Sequence, residues 1–242
     1  MPCYRIAPGQ AWVWVASPAS RRLSSTALSA AERARMARLH FASDRQLYAA
    51  AHALVRQALS ECAPEVTPEA WQFAVSAHGR PELLPPWDRL RFNLSHTDGL
   101  VACVATLDID CGIDVEAIRQ RPAAALSRQV LAPAEQQVVA SAPADQRPWL
   151  FFRYWTLKEA YVKARGMGLS LPMERCEFAL GSGRPRLIAH PEDSHPDPDG
   201  WRFIQYAPTS SHVLAVALRS GTWRSSREPD DRIITLEGQQ VS

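Results

Sequence analysis

The chain has 242 residues, 46% of them hydrophobic, and is therefore long enough to bury the core of one large globular domain or two small ones. Its 27 Lys and Arg residues against 25 Asp and Glu residues give a formal net charge of +2, which argues against a general nucleic-acid or membrane binder. The five cysteines are odd in number and never spaced as Cys-x-x-Cys, so they indicate neither a disulfide framework nor a zinc knuckle.

The first residues carry no export signal. No cationic stretch leads into an apolar segment and a small-residue cleavage site, and the early apolar run 11–16 is too short to span a bilayer. Unpaired thiols suit a reducing compartment. We therefore expect a soluble protein of the cytoplasm, with no membrane and no nucleic acid among its partners.

Several short signatures recur in the same order, about 103 residues apart for the first pairs and up to 113 for the last. The paired segments are 28–32 and 131–135, Gly79-Arg80-Pro81 and Gly183-Arg184-Pro185, Arg91-Phe92 and Arg202-Phe203, and the apolar runs 100–107 and 213–218. A single Gly-Arg-Pro is an ordinary turn signal. Because the matches keep their order, they favour an internal duplication, which predicts two similar halves.

In chain order, each half is predicted to contain a strand, a capped helix, a longer helix, strands around the Gly-Arg-Pro turn, and an apolar hairpin. The predicted strands are 12–15 and 113–116, the capped helices begin near Ser29 and Pro133, and the longer helices are 44–60 and 149–165. The fold class is thus α/β, or more exactly α+β, in two halves, 1–110 and 111–220, followed by a polar tail, 221–242. The halves are expected to pack about a pseudo-twofold axis, with the active site in the cleft between them.

The two halves differ in their charged residues. At an offset of 103, Glu159 is aligned with Arg56 and Lys163 with Ser60, while two strand carboxylates of the second half are aligned with apolar positions near Val13 and Val15. We therefore expect acid chemistry in the second half alone.

Gly112-Ile113-Asp114-Val115-Glu116 alternates apolar and acidic residues, which is typical of a strand. A period of two sends Asp114 and Glu116 to one face, from which both carboxylates can reach one cation. The alternative is an exposed polar face with no further role, which is the commonest meaning of such alternation.

A helix ending before Gly166 supplies a third acid, Glu159, and places Lys163 on the same face at i, i+4. Three carboxylates together with phosphate oxygens suit the oxygen-seeking octahedral shell of Mg²⁺. Alone, the Glu159–Lys163 pair would equally suit a surface salt bridge, which stabilises a helix by only a few tenths of a kcal/mol.

Residues 93–97, Asn-Leu-Ser-His-Thr, are expected to end a strand and open a turn, where Ser95, His96 and backbone N–H groups can meet an anion. A turn histidine with no ligand is an equal alternative. No acid is spaced to complete a Ser-His-Asp triad, so we do not expect Ser95 to be a nucleophile. The first half also has an arginine bias that could clamp phosphates, with solvated helix faces as the other explanation for part of it.

These motifs, in this order, resemble those of the large, monomeric Sfp-type 4'-phosphopantetheinyl transferases. The resemblance rests on Gly79-Arg80-Pro81, on 92–96 (Phe-Asn-Leu-Ser-His), on 112–116, on 155–163 (Trp-Thr-Leu-Lys-Glu-Ala-Tyr-Val-Lys) and on 166–170 (Gly-Met-Gly-Leu-Ser). It implies an enzyme of two pseudo-symmetric α/β halves that transfers the phosphopantetheine arm of coenzyme A to a serine of an acyl or peptidyl carrier protein. The reaction would require Mg²⁺ or Mn²⁺ and would release adenosine 3',5'-bisphosphate.

The resemblance also implies roles for individual residues. The metal ligands would be Asp114, Glu116 and Glu159, and the catalytic residues Glu159, Lys163 and Asp114. The coenzyme A contacts would be Arg35, Arg45, Arg80, Ser95, His96, Lys158 and Lys163. Arg80 replaces the usual lysine of a Gly-Lys-Pro turn and keeps its charge. Glu32 and Leu47 stand where the family has basic residues, which puts the 3'-phosphate contacts in question.

In the implied mechanism the enzyme supplies no covalent nucleophile. Glu159 deprotonates the carrier serine, directly or through a water molecule, and Lys163 stabilises or protonates the departing nucleotide. Carrier proteins are acidic, so the docking surface should be basic or apolar; 167–171 and the loop after Arg121 are candidates. Two alternatives remain: a Mg²⁺-dependent phosphohydrolase acting on a coenzyme A-like pyrophosphate, and a non-catalytic module that binds coenzyme A or a carrier.

Overall fold

The computed structural model describes residues 2–75, 79–118, 124–166, 171–190, 200–219 and 232–235. The chain divides into two compact units, one made of Met1–Asp110 with Trp223–Ser242 and the other of Cys111–Thr222. Each unit combines helices with antiparallel strands, so the predicted mixed α/β class in two domains is confirmed. All five cysteines are free thiols. None of the helices in the described ranges is long and apolar enough to cross a membrane.

The first unit is built on a four-stranded sheet in the order β11-β1-β5-β4, with a separate β2-β3 hairpin. Its elements are β1 (Ala11–Ala16), α1 (Ala30–Ala37), α2 (Ala42–Cys62), β2 (Phe73–Val75), β3 (Pro81–Leu83), β4 (Leu90–Thr97), β5 (Leu100–Leu107) and, from the far end of the chain, β11 (Arg232–Thr235). The strands and helices predicted for this half are confirmed, with bounds that differ by one or two residues for the long ones.

Local sequence explains the two helices of this unit. Ser29 caps α1, since its Oγ accepts a hydrogen bond from the Glu32 N–H while the Glu32 carboxylate accepts one from the Ser29 N–H. Along α2, apolar side chains recur every three or four residues and form one buried face. That face comprises Ala50, Ala51, Leu54, Val55, Ala58, Leu59 and Cys62, which pack against β1, β4 and β5 in one hydrophobic core.

The second unit repeats this plan on a three-stranded sheet in the order β6-β10-β9. Its elements are β6 (Cys111–Ala117), α3 (Ala124–Val130), α4 (Pro133–Ser141), α5 (Arg147–Arg165), β7 (Glu177–Ala179), β8 (Arg186–Ala189), β9 (Trp201–Thr209) and β10 (His212–Arg219). The core lies between α5 and the sheet, where Tyr161 meets Phe178, Trp201 and Phe203 edge to face. The predicted helix 149–165 is confirmed and begins two residues earlier.

Apart from α3 and β11, the order of elements and of paired strands matches between the described parts of the two units. In each, the first strand is the antiparallel neighbour of the last strand of a hairpin, and the long helix packs on that pair. The two similar halves expected from the repeats are therefore present.

One part of the polar tail is a strand that the sequence analysis did not predict. Arg232–Thr235 forms the strand β11, which pairs in parallel with Trp12–Val15 of β1. The polar tail therefore returns a strand to the first unit, although its sequence gives little sign of one.

Candidate active site

The site is built on β6, which carries two acids on the face that meets α5. Asp114 pairs across the sheet with Ala215, and Glu116 with Val213, so both side chains lie on the same face, as the alternation predicts. Gly112 sets how closely strand and helix approach, because a Cβ there would lie 2.1 Å from the Ala160 carbonyl oxygen. No larger residue fits this contact without a shift of the backbone.

Helix α5 supplies the other side of the site. It ends where Gly166 takes a left-handed conformation with φ of 66°, which favours glycine. Trp155, Glu159 and Lys163 follow one another at i, i+4 and so lie along one side of the helix. Two of these three side chains contact the acids of β6.

Lys163 and Trp155 make the contacts between helix and strand. The Lys163 ammonium donates to Asp114 Oδ1 at 2.6 Å, and the Trp155 indole N–H donates to Glu116 Oε1 at 3.1 Å. The Asp114 side chain is 5% exposed and that of Lys163 28%, so the ion pair is shielded on the strand side and open to solvent on the helix side. Each of the two acids of β6 therefore accepts a hydrogen bond from a side chain of α5.

Glu159 lies between Trp155 and Lys163 on the helix. Burial raises the pKa of the Glu159 carboxyl, the negative charge of Asp114 raises it further, and the positive charge of Lys163 acts in the opposite direction. These influences show that the three groups share one electrostatic environment. Such a carboxyl accepts a proton more readily than an exposed glutamate does.

The donor chemistry fits Mg²⁺, because carboxylate oxygens from Asp114, Glu116 and Glu159 are the ligands that this ion prefers. Yet within the described ranges no three His, Cys, Asp or Glu side chains already form a group that could hold a metal ion. Instead, Asp114 is paired with the Lys163 ammonium, and Glu116 accepts a hydrogen bond from the Trp155 indole N–H. The predicted metal site is therefore not preformed and stays a prediction.

Lys158, a predicted coenzyme A contact, lies in the interior of the second unit. Its side chain is fully buried, and its ammonium lies 2.7 Å from Glu135 of α4 and 2.9 Å from the Met173 carbonyl oxygen, with the Cys176 carbonyl oxygen as a third acceptor. Neighbouring helix residues point about 100° apart, so Lys158 faces away from the side that carries Glu159. It supports the interior of the second unit, and its contact with coenzyme A stays a prediction that these internal contacts do not favour.

Among the predicted phosphate contacts of the first unit, Arg45 has a structural task. Its Nη1 donates to the carbonyl oxygens of Leu39 and His40, at 2.9 and 3.0 Å, and so holds the turn between α1 and α2. Arg35 is exposed in the last turn of α1. Arg80 follows Gly79, which has a φ of 82°, and donates to the Phe92 carbonyl oxygen at 3.2 Å. Their contacts with coenzyme A stay predictions.

Ser95 and His96 lie at the end of a strand that leads into a turn, as expected. Both belong to β4, where they pair with Ala102 and Val101 of β5, and the turn follows at Gly99. Adjacent strand residues point to opposite faces, which is why Ser95 is buried and His96 exposed. The two side chains therefore do not converge on one anion from a common face.

Glu32, which stands where a basic residue was expected, has an internal role. Its carboxylate lies 2.8 Å from Arg56 Nη2 and 3.0 Å from His52 Nδ1, in addition to capping α1. Burial raises the pKa of Glu32, but hydrogen bonds from His52, the Ser29 N–H and Arg56 outweigh it and lower the pKa to about 2. Because these internal contacts hold the Glu32 carboxylate, its negative charge is not directed at a phosphate site.

Sequence reasoning missed Trp155 as a partner of Glu116. The signal was available, because Trp155 precedes Glu159 by four residues and so lies on the same side of the helix. Residues 167–170 and 119–123, which make up most of the candidate carrier surface (167–171 and the loop after Arg121), lie outside the described residues.

Comparison with known proteins gives a consistent result for both units. Residues 110–217 match the model of the 4'-phosphopantetheinyl transferase superfamily, and residues 13–108 match that of the 4'-phosphopantetheinyl transferase N-terminal domain. The 4'-phosphopantetheinyl transferase HetI of a Nostoc species is 32% identical over 201 residues, covering 81% of both chains. A 4'-phosphopantetheinyl transferase of Bacillus subtilis is 27% identical over 171 residues, covering 70% of this chain and 74% of that protein.

Among solved structures, holo-[acyl-carrier-protein] synthase of Thermotoga maritima matches 46% of this chain and 62% of its own, with a TM-score of 0.37 and 22% identity.

Proposed function

The chain belongs to the 4'-phosphopantetheinyl transferase superfamily, and from this premise we propose that it transfers the 4'-phosphopantetheine group of coenzyme A to a serine of an acyl or peptidyl carrier protein. The observation that carries the proposal is the joining of β6 to α5 by the Lys163–Asp114 ion pair, with Glu159 beside it. These groups supply a proton acceptor, a cation and metal-ligand oxygens in one place.

Asp114, Glu116 and Glu159 would hold the divalent cation, Mg²⁺ or Mn²⁺. When bound, such an ion offsets negative charge on the pyrophosphate oxygens of coenzyme A as the phosphoryl group is transferred. Because the three acids come from one strand and one helix, Gly112 and the helix–strand contact at Ala160 set how far apart their oxygens lie.

Glu159 is the residue proposed to take the proton of the carrier serine. Its carboxyl is partly buried and has a raised pKa, which makes it a stronger base than an exposed glutamate once it is ionised. The attacking serine oxygen and the departing nucleotide oxygen must lie roughly in line across the phosphorus. Positioning of the two substrates therefore accounts for much of the acceleration.

Lys163 is proposed to face the coenzyme A pyrophosphate and to stabilise adenosine 3',5'-bisphosphate as it departs. It is suited to this because its side chain is 28% exposed and carries the ammonium on a flexible four-carbon stem. Arg35, Arg45, Arg80, Ser95 and His96 are proposed to contact the coenzyme A phosphates from the first unit. We also propose that the protein acts as a monomer in the cytoplasm.

The test is intact mass spectrometry of several apo-carrier proteins after incubation with this protein, coenzyme A and Mg²⁺. We expect a mass increase of one phosphopantetheine group on the carrier, and none on a carrier whose acceptor serine is replaced by alanine. Cleavage of coenzyme A without a carrier would point instead to a phosphohydrolase. Binding of coenzyme A with no product on any carrier would point to a non-catalytic module.

Glu159→Gln provides the matched variant, because it keeps the shape of the side chain and removes its charge. We expect it to bind coenzyme A and to lose most of its turnover, by about 100-fold or more for loss of a general base. Normal turnover of this variant at saturating Mg²⁺ would remove Glu159 from the proposal.

A further inference from the structure

The partner of Lys163 in the structure is a proposed metal ligand. Its ammonium lies 2.6 Å from Asp114 Oδ1, at the place where a ligand oxygen would otherwise face a cation. Asp114, Glu116 and Glu159 carry three negative charges when ionised, and Lys163 reduces the net charge to −2. A divalent cation would be attracted to the same negative charge, so Lys163 and such a cation are alternative partners of Asp114 Oδ1.

The composition of the chain sets Lys163 apart. Of its 27 Lys and Arg residues only Lys158 and Lys163 are lysines, and all the others are arginines. Lys158 is explained by its fully buried position, where one compact ammonium meets three acceptors. Lys163 is partly exposed, and its ammonium pairs with a carboxylate oxygen, Asp114 Oδ1.

A lysine behaves differently from an arginine next to a carboxylate. The planar guanidinium binds both carboxylate oxygens in a fixed fork, whereas the ammonium is a point charge on a flexible stem with three rotatable donors. An ammonium can therefore leave Asp114 for another anion at a smaller cost. This difference suits a cation that has to change partners.

We propose that Lys163 is an exchangeable cation that pairs with Asp114 when no divalent cation is bound and moves to the coenzyme A pyrophosphate when one is. The inference rests on the proposed function. It adds to that function the order in which Lys163 changes partners, from Asp114 to the coenzyme A pyrophosphate. Lys163 keeps the acids together in the absence of metal, and its release from Asp114 delivers a positive charge to the phosphates.

This exchange couples the two ligands. Coenzyme A gives Lys163 a new partner and so frees Asp114, which strengthens metal binding; by linkage, the metal strengthens coenzyme A binding by the same factor. Without the ammonium, the acids should bind a divalent cation more tightly even when coenzyme A is absent. Coenzyme A should then add less, because only direct contact between pyrophosphate and metal remains.

The experiment titrates Mn²⁺ into the full chain with and without coenzyme A, in the absence of any carrier protein. Free Mn²⁺ is followed by electron paramagnetic resonance at about pH 8, where exposed carboxylates are ionised. Lys163→Met and Lys163→Gln remove the charge, and Lys163→Arg keeps it. Arg186→Met is the matched control, since Arg186 is an exposed cation of β8 and its loss changes the net charge of the chain equally.

Lys163→Met and Lys163→Gln are expected to bind Mn²⁺ about tenfold more tightly than wild type without coenzyme A, because a repulsive charge near a divalent ion is removed. In both variants coenzyme A should increase Mn²⁺ affinity by a smaller factor than in wild type. Lys163→Arg should bind Mn²⁺ no more tightly than wild type, and Arg186→Met should behave like wild type.

The proposal is overturned if Lys163→Met and Lys163→Gln, with circular dichroism spectra like that of wild type, bind Mn²⁺ with unchanged or weaker affinity. It is also overturned if coenzyme A increases Mn²⁺ affinity by the same factor with and without the ammonium. If wild type binds no Mn²⁺ under either condition, the metal assignment in the proposed function fails together with it.

Discussion

Arg56 of α2 and Lys158 of α5 hold equivalent places in the two units. Arg56 lies 2.8 Å from Glu32 and donates to the carbonyl oxygens of Pro68 and Trp71, at 2.9 and 3.1 Å. Lys158 lies 2.7 Å from Glu135 and donates to the carbonyl oxygens of Met173 and Cys176. In both units, one cation of the long helix joins a helix-capping glutamate to the short 3-10 turn that follows that helix.

This equivalence changes which residues of the two units correspond. With Arg56 opposite Lys158, Glu159 corresponds to Gln57 and Lys163 to Glu61, one residue away from the alignment at an offset of 103. The strand registers likewise place Trp14 opposite Asp114, since Trp14 pairs with Cys103 and Asp114 with Ala215.

The contact that joins Lys163 to Asp114 therefore has a counterpart of different chemistry in the first unit. There the Trp14 indole N–H donates to Glu61 Oε2 at 2.7 Å, and the Gln57 amide donates to Glu61 Oε1 at 3.2 Å. In the second unit the strand supplies the acid and the helix the donor; in the first unit these roles are reversed. At the positions that correspond to Asp114 and Lys163, the first unit therefore has Trp14, a large apolar side chain, and the helix residue Glu61.

Replacing Lys158 with methionine should lower the free energy of unfolding by about 3–5 kcal/mol, because the Glu135 carboxylate would be left buried without its cation. Adding Glu135→Gln to the variant should recover part of the loss. Urea denaturation of the two single variants and the double variant measures both effects. Coenzyme A affinity per folded molecule should be retained; its loss in a folded variant would restore Lys158 as a ligand contact.

The Glu32 site predicts an acid-sensitive contribution to stability. Because the pKa of Glu32 is lowered from 4.5 to about 2 in the folded protein, its stabilising effect is complete above pH 4.5 and is lost as the pH falls toward 2. Glu32→Gln should therefore lower the free energy of unfolding at pH 7 by up to about 3 kcal/mol, and the difference should shrink with falling pH.

Urea denaturation between pH 7 and pH 3 measures the difference between wild type and Glu32→Gln. Glu69→Gln is the matched control, since Glu69 is an exposed glutamate of the same unit and should change the stability little. A difference for Glu32→Gln that stays constant over this pH range would contradict the assigned role.

The sequence was sufficient for the features that depend on local periodicity. The alternation around Asp114 predicted both the strand and the shared face, and glycine at position 166 marked the end of α5. The order of repeated signatures predicted two similar units. The strand and the helix end could be predicted because each depends on neighbouring residues in the chain. The two units could be predicted because the signatures recur in the same order.

The rest depended on partners that are far away in sequence. β11 holds only two apolar residues, Ile233 and Ile234, and becomes a strand through pairing with β1. Lys158 was assigned to coenzyme A through the family resemblance, whereas its direction follows from the turn at Met173, whose carbonyl oxygen accepts its hydrogen bond. The direction of a buried charge is set by its acceptors, which the sequence does not identify.

Gly112→Ala should impair both folding and catalysis. The added Cβ would meet the Ala160 carbonyl oxygen at 2.1 Å and force β6 away from α5, which separates Asp114 from Glu159 and Lys163. We expect a loss of about 1–3 kcal/mol in stability for the overpacked contact and up to about a 100-fold loss in turnover for the displaced acids. Gly183→Ala is the control, because nothing lies within 4 Å of the added Cβ. Full activity of Gly112→Ala would show that the helix–strand distance does not limit the chemistry.

Trp155→Phe isolates the hydrogen bond to Glu116. Phenylalanine keeps an aromatic ring beside Phe151, with which Trp155 is stacked at 6.0 Å between ring centroids, but cannot donate to Glu116 Oε1. If the indole orients Glu116 toward a divalent cation, its loss should weaken Mn²⁺ binding by about tenfold or more, as the removal of a group that orients a ligand does. Trp149→Phe, at another partly buried tryptophan of α5, should leave Mn²⁺ affinity unchanged. Equal Mn²⁺ affinity in wild type and Trp155→Phe would mean that Glu116 is either correctly placed without the indole or not a ligand, and Glu116→Gln measured in the same titration separates these two outcomes.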